Sequence, residues 1–439
     1  MSLMKPRTAT CIALLVGSLL ALPLRAQEFM PANANAWSAF AARTVLAPQT
    51  AAVSNSSSGY TLNIYGSGVP NVYGGWTTRL TGLQSGLYYR LRARALPANI
   101  SFLREGVTVL LRWRGSFGPD VAPDYIWDSR LQPDGTLLFD KVLQSPAGTT
   151  AVDVELFLKW SPNGQVAFDQ LSFTAVAQPA SRRVRVAAIY NSPVWNGESG
   201  QEAVLRAARY AEQVAINYRP DIMVLGETMN MTSGGGTLDS NAETIPGPST
   251  DALAAIARSY RVNIAFGLLE RIGDLIYNTA VLLDRNGSII GKYQKVQLPS
   301  QDAAAGMAPG TSVPVFDTDI GRVGLLVCHD TSFPEPAREA ALQGAELLLV
   351  PLWGGRDSLV HARAIENGVY LAVAGYDYAS EVVNPIGTVL AAVSLTGASQ
   401  QVAVADLDLS QKIREPWLGN WRDTSLKERR VEPYQYHMP

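Results

Sequence analysis

The sequence predicts a multidomain protein: an all-β sandwich of jelly-roll type, then an α/β layer domain. Three observations carry this reading. Apolar and polar residues alternate with period two from about Gln27 to Gln178. A short linker, Ala177-Gln178-Pro179-Ala180-Ser181, closes that stretch. Beyond it, short apolar strands alternate with capped helices. A length of 439 residues fits two or three domains. With 47% hydrophobic and 17% charged residues, the chain can bury sizeable cores. A net charge of -2 without any Lys/Arg run excludes a nucleic-acid partner.

Residues 1–26 read as a secretory signal, with Lys5 and Arg7 ahead of an apolar run from Cys11 to Leu24 and Ala26 at the cleavage position. The run is too short for a stable membrane span. Export to a periplasm or to the medium is expected, in a bacterium rather than a glycosylating cell. The sequons at Asn55, Asn99, Asn230 and Asn286 include one three residues after Glu227, where a glycan would crowd the site proposed below.

The sandwich is placed at 27–178. Tyr60, Leu62 and Ile64 alternate with polar residues, as do Tyr89, Leu91 and Ala93, then Val107, Val109, Leu111 and Trp113, then Val152, Val154, Leu156, Leu158 and Trp160. Pro133-Asp134-Gly135 and Pro162-Asn163-Gly164 mark turns between runs. The α/β domain is placed at 182–425, with 426–439 as a tail. Val184 to Ile189 is its first strand. Ser199 and Glu202 form a capping box opening a helix with the stripe Val204, Ala208, Ala211, Ala215, and Pro220 stops it. A strand at Asp221–Leu225, a helix at Thr250–Tyr260 and a strand at Val262–Leu268 follow.

Signal removal leaves one cysteine, Cys328, so no intramolecular disulfide forms. The three histidines, His329, His361 and His437, show no zinc spacing, and no EF-hand loop exists. Neither a metal nor a cofactor is expected. Glu227, Lys295 and Cys328 each follow a short apolar strand, and open α/β sheets build sites at such strand ends. Cys328 is either an inert buried thiol or a nucleophile. As a nucleophile it needs a base or a cation. Glu227 can take its proton and Lys295 can hold a developing oxyanion. The rival is a Cys–His pair. His329 is adjacent but points away if the backbone is extended, which leaves His361, in a predicted helix.

Glu227, Lys295 and Cys328, in this order and spacing, resemble the nitrilase (carbon–nitrogen hydrolase) superfamily. The segment Cys328-His329-Asp330-Thr331-Ser332-Phe333-Pro334-Glu335, with Arg338, is similar to its amidase branches. Lys295-Val296-Gln297-Leu298-Pro299 resembles the lysine motif, Ala308-Pro309-Gly310 a turn after it, Arg363, Glu366 and Asn367 a helix motif, and Asn384-Pro385-Ile386-Gly387 a late hairpin. The resemblance implies a four-layer αββα sandwich that pairs into homodimers, and a small-molecule amide as substrate. It further implies Cys328 as nucleophile, Glu227 as base, Lys295 and the backbone N–H of His329 as oxyanion donors, and Asp302, Trp353 and Tyr376 as pocket candidates.

Two departures stand out. Many members carry a second glutamate after the lysine motif, where this chain reads Ser300-Gln301-Asp302-Ala303-Ala304-Ala305. Asp302 is the nearest carboxylate, but it is shorter and expected out of register. The connection from Tyr378 to Ser380 is also shorter than the family norm.

The sandwich resembles galactose-binding-like, carbohydrate-module jelly rolls. Trp76 and Trp127, in loop-like contexts, are the candidates for stacking on a sugar, while Trp113 and Trp160 are expected in the core. A carbohydrate or cell-envelope glycan is the partner this implies. Acyl transfer to an amine and a decayed, binding-only domain are the alternatives to hydrolysis.

Overall fold

The computed structural model describes residues 27–430 apart from 56–58, 117–120, 195, 233, 397 and 416. The expected signal segment and residues 431–439, His437 among them, lie outside the described residues. No helix of the described residues is long and apolar enough to cross a membrane.

The N-terminal region is mostly β. Among the described residues it builds two antiparallel sheets. One runs in the order Ser38–Ala41, Tyr73–Thr81, Thr149–Lys159, Val107–Gly115, Asp124–Tyr125. The other runs Gln49–Asn55, Gly59–Tyr65, Gln165–Val176, Tyr88–Ala98, Leu137–Gln144, Ser129–Leu131. The alternation predicted for Tyr60, Leu62 and Ile64 buries all three, and their odd-numbered neighbours face outward. Leu91, Ala93 and Phe168 from one sheet meet Val109, Leu111, Val154 and Leu156 from the other in a shared core.

Three tryptophans depart from expectation. Trp76 is not in a loop. It lies in the strand Tyr73–Thr81, is 8% exposed, and donates its Nε1–H to the Asn63 carbonyl at 3.0 Å. Trp127 is 2% exposed and packs among Leu326, Ala337, Ala340 and Leu426 of the later region. Neither ring offers a face to a sugar. Trp160 lies just past its strand with φ of 55°, half-buried, with the Lys159 ammonium 4.3 Å from its ring centre. Trp113 is in the core as expected, and its indole N–H meets Asp124 at 2.8 Å.

The C-terminal region holds two six-stranded sheets among the described residues. The first runs Ile289–Gln294, Leu275–Leu283, Asn263–Ile272, Ile222–Val224, Arg183–Asn191, Gln400–Asp408. The second runs Val315–Thr318, Gly321–Leu325, Leu347–Pro351, Tyr370–Ala374, Glu381–Val383, Val389–Ala392. Each has three parallel strands at its centre. These central strands read as continuous apolar runs because both faces are covered. Val186, Val224, Ala265, Leu325, Leu349 and Ala372 share one core. On the far side of the first sheet lie the helices Gly200–Tyr218 and Pro248–Tyr260, through Val204, Ala208, Ala211, Leu253 and Ala257. Ser199 caps the first of these with the predicted box to Glu202. The helices Pro334–Leu342 and Asp357–Ile365 cover the second sheet with Ala337, Ala340, Ala341, Val360 and Ala364.

The predicted boundary at 425 falls inside a helix, Trp421–Lys427, whose last two residues are buried. This helix belongs to the seam between the two regions. The Lys427 ammonium donates to the carbonyls of Arg104 and, at 2.6 Å, of Val107. Lys159 donates to the Lys427 carbonyl at 2.6 Å. Arg414 reaches Asp124 at 2.6 Å. This cover is why Val107–Gly115 is buried on both faces over its first half, where strict alternation was expected. Replacing Trp127 with alanine opens a cavity in this seam and costs about 3–5 kcal/mol. Chemical denaturation followed by fluorescence and circular dichroism checks it through a lower midpoint for Trp127→Ala than for the wild type.

Candidate active site

Glu227 sits beyond the strand Ile222–Val224, at the carboxyl end of the parallel strands. Two glycines make room for it. A β-carbon on Gly226 would lie 2.2 Å from the Tyr376 hydroxyl, and one on Gly267 would lie 2.8 Å from the Glu227 α-carbon. Tyr376 donates its hydroxyl hydrogen to the Glu227 carbonyl at 3.0 Å. The Glu227 carboxylate is 3% exposed and its oxygens differ. Oε1 accepts from Asn278 Nδ2 at 2.7 Å and from Lys295 Nζ at 3.0 Å. Oε2 is buried without a hydrogen-bond partner among the described residues.

Lys295 lies one residue past Ile289–Gln294. Its backbone is held from both sides: its N–H donates to the Asn278 carbonyl at 2.9 Å, and its own carbonyl accepts from Gly310 at 2.8 Å. The Ala308-Pro309-Gly310 turn therefore grips the lysine, and a β-carbon at Gly310 would collide with the Gln294 carbonyl at 2.1 Å. The side chain is 1% exposed. Burial alone would lower its pKa, but the neighbouring Glu227, Cys328 and Asp302 hold it above the usual lysine range. Asp302, on the short helix Ser300–Ala304, accepts from Nζ at 2.9 Å. The register expected to carry Asp302 away instead brings it to the lysine. One helical turn after Pro299 offsets the shorter side chain.

Cys328 follows the strand Gly321–Leu325 of the second sheet and has φ of +43°. A non-glycine residue in this region is strained, a condition that clusters at functional sites. The backbone at Cys328–Ser332 is a tight 3-10 turn, not the extended chain assumed from sequence. Sγ lies 3.7 Å from the Gly354 carbonyl. Burial pushes the thiol up to about 12, with the Glu227 charge adding to the rise and Lys295 opposing it. The sulfur is therefore a thiol at neutral pH, and it needs a base to attack.

Neither described histidine is placed as that base. The His329 ring turns to Ser332 at 3.5 Å and stacks edge-on with Phe333 at 5.2 Å. His361 Nε2 meets Glu381 at 2.8 Å, which also accepts from Tyr378 at 2.5 Å. Trp353 meets Tyr376 edge-on at 5.0 Å, and its carbonyl accepts the Tyr376 and Asp377 N–H groups at 3.1 and 2.7 Å. The shortened connection closes tightly, with Gly375 donating to the Ser380 hydroxyl at 3.0 Å. Asn230 is 2% exposed, and its amide bonds to Asn241 and Leu269 carbonyls at 2.7 and 3.2 Å. An amide so buried and bonded is closed to a glycan in this fold.

Asp330 escaped the sequence reading. It is fully buried and accepts from the Val327 and Gln297 backbone N–H groups, each at 2.9 Å, and from the Tyr293 hydroxyl at 2.8 Å. Burial pushes its carboxyl up to about 6 against these hydrogen bonds. It ties the cysteine turn of one sheet to the lysine strand of the other. The only sequence signal was an aspartate two residues past a candidate nucleophile. No group of three or more His, Cys, Asp or Glu side chains among the described residues is arranged to hold a metal.

A family model for carbon-nitrogen hydrolases matches residues 177–414. A probable nitrilase of Schizosaccharomyces pombe is 32% identical over 215 residues, covering 44% of this chain and 79% of the relative. The omega-amidase NIT2 of Homo sapiens is 32% identical over 234 residues, covering 47% of this chain and 83% of the relative. An amidase from Nesterenkonia sp. aligns in structure at 26% identity with a TM-score of 0.46, covering 58% of this chain and 96% of its own. The chain belongs to the carbon–nitrogen hydrolase family, and it is a hydrolase acting on C–N bonds.

Proposed function

We propose that the protein is an exported amidase that cleaves a non-peptide C–N bond of a small amide through a Cys328 thioester. The observation that carries this reading is the Glu227–Lys295–Asp302 chain of hydrogen bonds beside a half-buried, strained cysteine, with Glu227 Oε2 left unpartnered. In this reading Oε2 takes the Cys328 proton as sulfur attacks the amide carbonyl. The tetrahedral oxyanion is held by Lys295, kept cationic by its carboxylate neighbours, and by the His329 backbone N–H. Glu227 returns the proton to the leaving amine. It then activates water, which hydrolyses the thioester and frees the acid. One carboxylate serves as base and then as acid.

Asp302 does the work of the family's second glutamate by anchoring Lys295. This favours an active hydrolase over a decayed binding domain. Trp353 and Tyr376 form a wall of the substrate pocket. The C-terminal region, 182–425 extended through the helix to Lys427, is the family's four-layer αββα sandwich. The region 27–178 is an appended jelly roll. Export rests on the Lys5/Arg7 start and apolar run of residues 1–26.

Cys328→Ala should abolish hydrolysis of every amide the wild type cleaves. Intact mass of the wild type under turnover should show an acyl adduct that the variant lacks, and retained turnover would exclude Cys328 as nucleophile. Lys295→Met should lower kcat by about 10²–10³. Asp302→Ala should lower it by roughly 10–100-fold, the worth of a hydrogen bond to a charged group, while Asp302→Glu keeps most of the rate. Stopped-flow turnover measures both. Because the resting thiol sits at about 12, iodoacetamide should modify Cys328 about tenfold faster per pH unit from 7 to 9. A plateau near pH 8.5 would instead mark an ordinary thiol.

A further inference from the structure

Asn278 is the polar exception on an apolar stripe. It lies in the strand Leu275–Leu283 and is 2% exposed. Alternate residues of a strand share a face, so Asn278 points the way of Ala280 and Leu282, which belong to the core between the two sheets. A carboxamide buried there costs free energy unless its hydrogen bonds are made. Its Nδ2 donates to Glu227 Oε1 at 2.7 Å, while Oδ1 is buried without a partner among the described residues. An aliphatic side chain of similar shape would leave nothing unsatisfied at this place. Stability alone therefore does not account for the asparagine.

The contact it makes bears on the base. Lys295 donates to the same oxygen, Oε1, at 3.0 Å. Two donors on one oxygen fix the plane of the carboxylate and leave Oε2 as its free oxygen. The lysine is a poor clamp by itself. Its ammonium rides on a flexible four-carbon stem, and it also holds Asp302 at 2.9 Å. The asparagine amide is planar and its stem is short. Its backbone is pinned as well, because its carbonyl accepts the Lys295 N–H at 2.9 Å. One strand residue thus sets Glu227 through its side chain and Lys295 through its main chain.

The titratable groups that face Glu227 are Lys295, Cys328 and Tyr376, with Asp302 beyond the lysine. Asn278 is the neutral donor among them, so its hold on Oε1 does not change with pH.

We propose that Asn278 is a positioning residue: its amide locks Glu227 by Oε1, so that Oε2 is the oxygen that takes the Cys328 proton. This rests on the thioester reading above. In the step it serves, the Sγ–H bond breaks and the proton passes to Oε2. The sulfur electron pair forms the bond to the carbonyl carbon, and the carbonyl π pair moves to oxygen.

The test uses the whole protein with p-nitrophenyl acetate, with Cys328→Ala as the background. Nitrophenolate leaves with the C–O electron pair and needs no proton, so kcat/KM reads acylation, where Glu227 acts only as base. Asn278→Leu should lower kcat/KM by roughly 10–100-fold. The acid limb of its pH profile should move up by about one unit or more, because the ionised carboxylate has lost a donor. Its melting temperature should equal or exceed that of the wild type. Asn278→Asp, close in shape to asparagine, should move the limb further, since a second carboxylate then faces the first. A merely structural asparagine would lose stability and rate together and leave the limb in place. A wild-type rate or an unmoved acid limb in either folded variant overturns the inference, while an acetyl adduct on wild-type Cys328 by intact mass keeps the thioester reading standing. No acetyl adduct on wild-type Cys328 overturns both.

Discussion

A lysine side chain 1% exposed is the constraint around which the C-terminal region is arranged. Taking such a charge out of water costs several kcal/mol unless good acceptors surround it. Glu227 and Asp302 supply them at 3.0 and 2.9 Å. Each carboxylate comes from a different element, one beyond a parallel strand and one from a helical turn after the lysine. Displacing either leaves an unmatched buried charge, so these elements are coupled electrostatically as well as by packing. The same compensation keeps the lysine cationic in a place where water is scarce.

The cysteine comes from the other sheet, so the site needs something to set the distance between the sheets. Apolar packing between Val224, Leu325 and their neighbours holds the layers together but is non-directional. Asp330 adds direction. Its three acceptor contacts reach Val327 in the cysteine turn and Tyr293 and Gln297 of the lysine segment. That bridge also shares the burden of the unfavourable backbone angle at Cys328.

Much of this was readable in the residue pattern. Period two in Tyr60–Ile64 and the capped stripe Val204–Ala215 set up sheet and helix, because burial on one face is a local property of the chain. Strand-end logic located Glu227, Lys295 and Cys328. What failed depended either on contacts far apart in sequence or on turns too short to show a period. Trp76 and Trp127 looked like loop tryptophans because the partners that bury them, Asn63 and Leu426, are distant in the chain. Asp302 was misjudged since the helical turn at Ser300–Ala304, too short to show a period, sets its reach. Asp330 gave no signal beyond its place near Cys328, because its partners are backbone N–H groups and a tyrosine 37 residues away.

The seam at Lys427 also bears on how the chain is made. Val107 and Lys427 are separated by 320 residues, and Lys159 meets the Lys427 carbonyl across 268. During synthesis the sandwich can close its own core long before the helix Trp421–Lys427 exists. Until then the strand Val107–Gly115 presents Leu110, with Tyr125 and Phe157 beside it, on an uncovered outer face. The first region to be made is therefore the last to have its surface completed, and its exposed patch is a place where a nascent chain is open to aggregation or to a chaperone.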